Sequence, residues 1–541
     1  MNKILDEREL CDLECLAINA FEPLSSYMTK LQYLQCLESL TINASNDVFS
    51  IPVVCMVNEE IPYGTIITLK NQTGVIHASL TVYECWKPDI EYECKKVFGT
   101  YDLNHPYIQY INSKKSPELF YVSGPITFIN TVFHTNYLNY RKSPAQVKAL
   151  GPWCGFQTRN PLHRSHIELI QNASNMKVLL HPVEGVTQEC DIPFSVRMKC
   201  YQSVLPYMSD VSLAILPLSM RMAGPREAVW HAVIRRNYGC SHFIVGRDHA
   251  GPSYKKSDGT SFFDPLDAQK LAKQMESQIG IQIIASEEVV YCNETQSYLP
   301  LSKSTGLTIN NISGTKFRSM LIANTPIPDW YSYPEVVSYL KEFYNKPRGT
   351  CFYFVGLSGA GKSTLAESLK SYLEEVYPSR EITLLDADII RTHLSKGLGF
   401  SKSDRSMNVR RIGYVASEIV RHGGIVIVAN IAPYQEDRDF NKNLINQYGT
   451  YLEFFVDTPI EICEQRDVKG LYKAARAGTI ATFTGVSDPF EIPNSITIPC
   501  KPLSTITKLL NPFCENILNA SLQNDLQLSL ISNIKQVFLD I

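Results

Sequence analysis

The chain has 541 residues, 44% of them hydrophobic and 19% charged, with a formal net charge of −3. At roughly 150 residues per domain this length predicts three or four domains, and the near-neutral balance excludes a global attraction to nucleic acid, so any anion site must be built from local arginines and lysines. No apolar run reaches the roughly 18 residues of a spanning helix, and the opening Met1-Asn-Lys-Ile-Leu-Asp-Glu-Arg-Glu-Leu10 carries acids where a signal peptide needs an apolar core, so we expect a cytoplasmic protein with neither a membrane nor a nucleic-acid partner.

The fifteen cysteines are scattered. Cys11 and Cys15 are the closest pair, in a predicted helix, without a matching second pair of metal ligands, which reads as reduced structural thiols. Residues 1–140 alternate β-rich runs (Ile51-Pro-Val-Val-Cys-Met-Val57, Thr65–Leu69, Val75–Tyr83) with turn signals such as Asn71-Gln-Thr-Gly74. This pattern predicts a small β-barrel and says nothing about chemistry.

From about residue 141 the rhythm becomes strand, helix, strand: Gly155-Phe156, a helix over 161–175, Lys177–His181, a helix near 194–206, and Val211–Leu216. Such alternation predicts a parallel sheet with ligands at the carboxyl ends of its strands. Gln157-Thr-Arg-Asn-Pro-Leu-His-Arg-Ser-His166 falls at one such end. Pro161 suits a first helical position, His163 and His166 share a face, Arg159 and Arg164 offer planar forks to oxyanions, and Gln157 and Asn160 are neutral donors. Alone, the two histidines would more often be a helix cap with one satisfied ring. Three further motifs follow: Met220-Arg-Met-Ala-Gly-Pro-Arg-Glu-Ala228, an apolar strand running into Gly246-Arg-Asp-His-Ala-Gly251, and Ile312-Ser-Gly-Thr-Lys-Phe-Arg318.

These four ordered motifs resemble ATP sulfurylase (sulfate adenylyltransferase), with Ser165 where alanine is usual and the Gly246–Gly251 motif unchanged. Arg8–Glu14, Ala20–Leu24 and Tyr27-Met28 are similar to the start of that family, whose N-terminal domain is a PUA-like barrel. The resemblance implies that sulfate attacks the α-phosphate of ATP and expels pyrophosphate. Gln157, Arg159 and the Ala250 N–H would hold sulfate; Asn160, His163, His166 and Arg247 would contact the triphosphate. Thr158 is counted with the catalytic residues, and Asp248 and His249 with the substrate-binding ones, Asp248 as an orienting group. Some relatives carry a cysteine-rich zinc insert; Cys292 stands alone, so we expect no zinc.

A polar break at Asn345-Lys-Pro-Arg-Gly349 marks the expected boundary between domains of 141–345 and 346–541. Thr350–Val355 reads as a buried strand, and Gly356, Leu357, Ser358, Gly359, Ala360, Gly361, Lys362 and Ser363 fit the G-x-x-x-x-G-K-[ST] phosphate loop, with Thr364 opening a helix. In such a loop backbone N–H groups wrap a β-phosphate, Lys362 reaches the β- and γ-phosphates, and Ser363 ligates Mg²⁺. Downstream, Leu385-Asp-Ala-Asp-Ile-Ile-Arg391, Gly397–Arg405, Asn408–Arg411, Lys469–Gly478 and Phe483-Thr-Gly485 resemble adenylyl-sulfate kinase. That likeness places Asp388 as the base near the 3′-hydroxyl, Arg391, Arg405 and Asn408 on sulfate and phosphate, Phe400 and Phe483 around adenine, and Lys469 among the adenylyl-sulfate contacts. Two departures stand out: Ala387 replaces a glycine, and Ile431-Ala-Pro-Tyr-Gln435 lacks the family's serine and arginine.

Together these readings predict an α/β multidomain fold: a PUA-like β-barrel, a Rossmann-like nucleotidyltransferase domain and a C-terminal P-loop kinase domain. The implied function is bifunctional, from ATP and sulfate through adenylyl sulfate to 3′-phosphoadenylyl sulfate, in a homo-oligomer. The alternative is a sulfurylase whose C-terminal domain only binds that product as a regulator. The direction in which the first site works in the cell stays open.

Overall fold

Strand signals at the start of the chain produce two small sheets. Asn2–Ile4, Ile66–Lys70, Ile76–Thr81 and Ile126–Phe128 line up in that order in one; Cys55–Val57, Phe120–Ser123 and Glu84–Trp86 form the other. The predicted turn closes a hairpin, since Asn71 Oδ1 accepts from the N–H groups of Thr73 (3.1 Å) and Val75 (2.9 Å), the local bonding that suits asparagine to turns. The run expected from Ile51 forms a strand over Cys55–Val57; Pro52 has no N–H to give a ladder, and Val53 O accepts from Met28 N (3.0 Å) instead. This computed structural model describes residues 1–541 apart from 115–117, 131–132, 174, 189–190, 347, 468, 481 and 521–541. Pro347 of the expected boundary and the last stretch of the expected third domain therefore lie outside the described residues.

Helix Glu7–Ala17 opens on a full capping box, Asp6 and Glu9 exchanging backbone-to-carboxylate bonds of 3.0 Å. Its buried face is polar as well as apolar. Arg8 donates to Met220 O (2.5 Å), Arg221 pairs with Asp12 (2.5 Å), and Cys15 Sγ donates to Pro217 O (3.0 Å). The opening motif thus clamps Met220 and Arg221, and Cys15 just after it holds Pro217. By contacts the chain forms two units, 1–320 with 325–340 and 321–324 with 341–541, so the first two expected domains share one unit.

Within the first unit Glu93 is fully enclosed, accepting from the hydroxyls of Tyr33 (2.9 Å) and Tyr121 (2.8 Å). Burial nonetheless pushes its carboxyl from 4.5 up to about 7. Between those values the folded chain keeps a proton that the unfolded chain has released, so this contribution favours folding at the acid end and is lost as pH rises to about 7. Glu93→Gln keeps an acceptor and cannot ionise. It should raise the unfolding midpoint at about pH 8 and flatten the pH dependence of stability, the gap corresponding to roughly 3 kcal/mol. Denaturant unfolding of both proteins across this range checks it, and an unchanged slope would refute the titration.

The larger sheet of this unit is fully parallel, in the order Val211–Leu213, Val178–Leu180, Trp153–Phe156, Cys240–Val245, Gln282–Ala285. The chain enters at the central strand, moves outward on one side, then returns to the other. The strands Trp153–Phe156 and Cys240–Val245 are therefore neighbours whose connections leave in opposite directions, the switch point where open α/β sheets bind ligands. Gly155 must be a glycine: a Cβ there would lie 2.9 Å from Cγ of the fully buried Arg235.

The second unit holds another parallel sheet, Ile382–Asp386, Ile425–Ala429, Thr350–Val355, Thr450–Asp457, Ile496–Pro499. All six residues of its central strand are buried, as a run covered by helices on both faces requires. Among the described residues no helix is long and apolar enough to cross a membrane.

Candidate active sites

Two clusters of chemistry-bearing side chains emerge, one at the carboxyl end of each parallel sheet. In the first, Trp153–Phe156 delivers Gln157 to Asn160. Gln157 Nε2 meets only the Met220 sulfur (3.8 Å), and its buried Oε1 has no partner among the described residues. Thr158 is buried and structural in its contacts, its hydroxyl donating to Asn160 O (2.9 Å) and accepting from Asn160 N (3.1 Å). Arg159 Nη1 contacts both oxygens of Asp191 (3.0 and 2.7 Å), while Nη2 points to Gly251 O (3.4 Å). One guanidinium so joins the Gln157–His166 turn to the Gly246–Gly251 turn.

The helix begins later than expected. It runs Arg164–Ala173, and Pro161 lies in the loop before it rather than at its first position. His163 takes the cap: its carbonyl accepts from His166 N (3.0 Å) and Ile167 N (3.3 Å), and its own N–H donates to His166 Nδ1 (3.1 Å). With Nδ1 accepting, a neutral His166 carries its proton on Nε2. His163 Nδ1 meets Ser332 Oγ (2.8 Å), and its ring packs on Phe317 and Tyr331. Burial lowers His163 to about 3, helped by His166, and His166 to about 4. Both rings are neutral donors at pH 7. Arg164 points away, donating to Asp329 O (2.6 Å) over the Tyr333 ring.

Strand Cys240–Val245 delivers the second turn. Arg247 is half exposed, held by Glu288 (3.2 Å) and Asp248 (3.6 Å). Asp248 and Ala250 adopt left-handed backbone, φ 52° and 56°. His249 turns its ring inward, edge-on to Phe243, with Nε2 3.1 Å from His231 Nδ1. Sequence reasoning missed Asp191, Glu227 and His231. The last two sit in and just beyond the Met220–Ala228 motif, the one signal that pointed near them.

In the second unit the residues expected at the kinase site surround one cavity of about 710 Å³. Its walls include Lys362, Ser363, Asp388, Arg391, Phe400, Arg405, Asn408, Lys469 and Phe483. Of the phosphate loop, Ser358 to Thr364 line it, and Gly356 and Leu357 do not. Gly361 caps helix Lys362–Val376 at φ 106°, which frees the first-turn N–H groups for an anion. Lys362 Nζ donates to Leu357 O (2.7 Å), and burial lowers its pKa to about 8. Ser363 Oγ donates to Asp386 Oδ2 (2.5 Å), and Asp388 pairs with Lys469. Arg391 lies over the exposed Phe400 ring, centroid 4.7 Å away. Buried Arg405 gives Nη1 to Thr484 (2.7 Å) and Asp488 (3.0 Å), but its Nε and Nη2, like Asn408 Oδ1, have no partner among the described residues.

Asp386, Thr484 and Asp488 were not singled out, although Asp386 and Thr484 lie within the Leu385–Arg391 and Phe483–Gly485 motifs. Of the departures, Ala387 opens helix Ala387–Thr392, where a methyl is ordinary. Gln435 is turned to Arg438 (2.6 Å) and Asp439 (2.9 Å).

Family models match the chain in order: a PUA-like domain over residues 2–131, ATP-sulfurylase over 139–343 and adenylylsulphate kinase over 348–501. The sulfate adenylyltransferases of Chaetomium globosum and Aspergillus oryzae are each 40% identical to it, over 512 and 515 residues, 91% of this chain and 88% of theirs. The solved structure of the hexameric APS kinase from Thiobacillus denitrificans aligns with a TM-score of 0.69 at 26% identity, covering 95% of this chain and 93% of that one.

Proposed function

Because the chain belongs to the sulfate adenylyltransferase family, with an ATP-sulfurylase domain followed by an adenylylsulphate kinase domain, we propose that it carries out two consecutive steps of sulfate activation. The first site joins sulfate to the α-phosphorus of ATP and releases pyrophosphate. The second moves the γ-phosphoryl of another ATP to the 3′-hydroxyl of adenylyl sulfate. Sulfate is a weak nucleophile without a proton to lose at pH 7, so the first site works by alignment and charge neutralisation rather than by a base. Gln157, Arg159 and the backbone of Ala250 hold sulfate; Asn160, the neutral imidazoles of His163 and His166, and Arg247 face the triphosphate. Thr158 shapes the turn, and Asp248 orients it.

In the second site Lys362 and the loop N–H groups bind phosphates, Arg391, Arg405 and Asn408 bind adenylyl sulfate beside Phe400, Phe483 and Lys469, and Asp388 accepts the 3′-hydroxyl proton. Ser363 and the carboxylate of Asp386 form an all-oxygen donor set that suits Mg²⁺, which when bound would neutralise the phosphates. The observation that carries the kinase reading is the conjunction in one cavity of Lys362 and Ser363–Asp386 with the unpartnered, buried polar atoms of Arg405 and Asn408. A pure regulator would need the second group and not the first. The regulatory reading keeps one support, that the fungal relatives bear the name of the first activity alone. A homo-oligomer is supported by the hexameric relative.

One assay separates the readings. A phosphate–sulfate anhydride is less stable than the bond broken in ATP, so the first step stalls unless both products are removed. Purified protein with labelled sulfate, ATP, Mg²⁺ and pyrophosphatase should accumulate label in 3′-phosphoadenylyl sulfate, adenylyl sulfate staying minor. Label that stops at adenylyl sulfate in excess ATP would overturn the kinase reading in favour of the regulator.

A further inference from the structure

We propose that Glu227 and His231, on helix Pro225–Asn237, are positioning residues for sulfate: they fix the strained turn Arg247–Gly251 that presents the Ala250 backbone to the anion. This rests on the sulfurylase reading of that site.

Four residues in two adjoining loops hold unusual backbone: Met222 (φ 62°), Gly224 (φ 49°), Asp248 (φ 52°) and Ala250 (φ 56°). Left-handed backbone at residues with a Cβ is costly and persists only where the surroundings over-determine it. Two sets of bonds do so. Between the backbones, Gly224 N donates to Ala250 O (3.1 Å) and Asp248 N to Pro265 O (2.8 Å). On the buried side runs a chain of side chains. Glu227, with no exposed surface, accepts from Arg221 N through Oε1 and from Ala223 N through Oε2, each 2.8 Å, and so fixes the first loop. Its Oε1 lies 3.5 Å from His231 Nε2, an electrostatic contact without hydrogen-bond alignment, since that Nε2 has no hydrogen-bond partner among the described residues. His231 Nδ1 meets His249 Nε2 at 3.1 Å.

The chemistry of this chain selects one arrangement. Burial holds both rings far below the usual histidine range, so each is neutral and carries one proton. The carboxylate favours that of His231 on Nε2, which leaves Nδ1 to accept from Nε2–H of His249. His249 is thereby an anchor inside the turn, and the two residues flanking it are the ones in left-handed backbone. Neither Glu227 nor His231 touches the anion; they act through the shape of the turn.

The substitutions follow from the bonds. Glu227→Gln preserves size, but both carboxylate oxygens receive backbone N–H groups, so the amide must set an NH₂ against one of them. His231→Leu removes the acceptor for His249, whereas His231→Asn keeps one at the Nδ1 position. Steady-state adenylylation should show the KM for sulfate raised about tenfold to a hundredfold in Glu227→Gln and His231→Leu, the scale of a displacement near 1 Å. The KM for ATP should rise less, because Arg247 at the start of the turn is also held by Glu288 (3.2 Å), and His231→Asn should recover most of the loss. Adenylyl-sulfate kinase activity of the same preparations reports the other unit, and thermal unfolding reports this one. An unchanged sulfate KM in Glu227→Gln overturns the proposal, as does an equal rise in both KM values. If His231→Leu does not fold, Glu227→Gln and His231→Asn decide. Failure of the wild type to form adenylyl sulfate would instead defeat the reading of the site.

Discussion

Lys362→Ala should abolish phosphorylation of adenylyl sulfate and leave pyrophosphate release from ATP and sulfate unchanged. Lys362 sits at the first position of its helix, inside the cavity, and its ammonium is the one charge of the loop that can follow the β- and γ-phosphates. Among the described residues Lys362 Nζ donates to Leu357 O (2.7 Å), a bond the phosphates can replace. The loss should be at least about a hundredfold in kcat, the scale of one missing donor to a transition-state oxyanion. Burial lowers this amine to about 8, against the pull of Asp386 and Asp388 and with help from Lys469. The charged form is the one that binds phosphate. The ATP affinity of the kinase should therefore weaken as pH rises through about 8, and the variant should not show that inflection. Assays of each half-reaction on both proteins check this, and comparable loss of both activities would defeat the separation of the sites.

How far the sequence was legible depended on whether a residue's role is local. The phosphate loop was readable in full, because Gly356–Ser363, the buried strand before it and the helix after it are consecutive. The parallel alternation from about residue 141 onward placed the strands near Trp153, Val178, Val211 and Cys240 within a few residues. Helix starts were less legible. Pro161 looked like an opening because proline favours that position, but the reciprocal bonds of His163 and His166 cap the helix three residues later, and no propensity encodes them. Residues that act through distant partners were invisible. Asp191 is an ordinary acid until the fold brings it to Arg159, 32 positions away, and His231 is one residue on a helix buried over Glu227–Arg235. The opening Arg8–Glu14 motif showed no chemistry in the sequence because its work is to hold Met220 and Arg221, two hundred positions on.

Arg159→Ala should lower sulfate adenylylation by about 10² to 10³, or ~2.7 to 4 kcal/mol, if the guanidinium faces the oxyanion in the transition state. The structure supplies a rival cause that has to be separated. Nη1 already neutralises Asp191 at 2.7 Å, with both side chains largely buried, so the alanine also strands a carboxylate, on the order of 3 kcal/mol of stability. The double substitution Arg159→Ala with Asp191→Asn removes that stranded charge. If sulfate is held by the free edge of Arg159, the double variant should regain thermal stability without regaining adenylylation, and its sulfate KM should remain high. Arg159→Lys should fall short for a geometric reason, since one ammonium cannot serve Asp191 and a tetrahedral dianion with a planar fork. Kinase activity in each preparation should be normal. Recovery of adenylylation in the double variant would mean that Arg159 matters only as the counter-ion of Asp191, and sulfate would then have to be held by Gln157 and the Ala250 backbone alone.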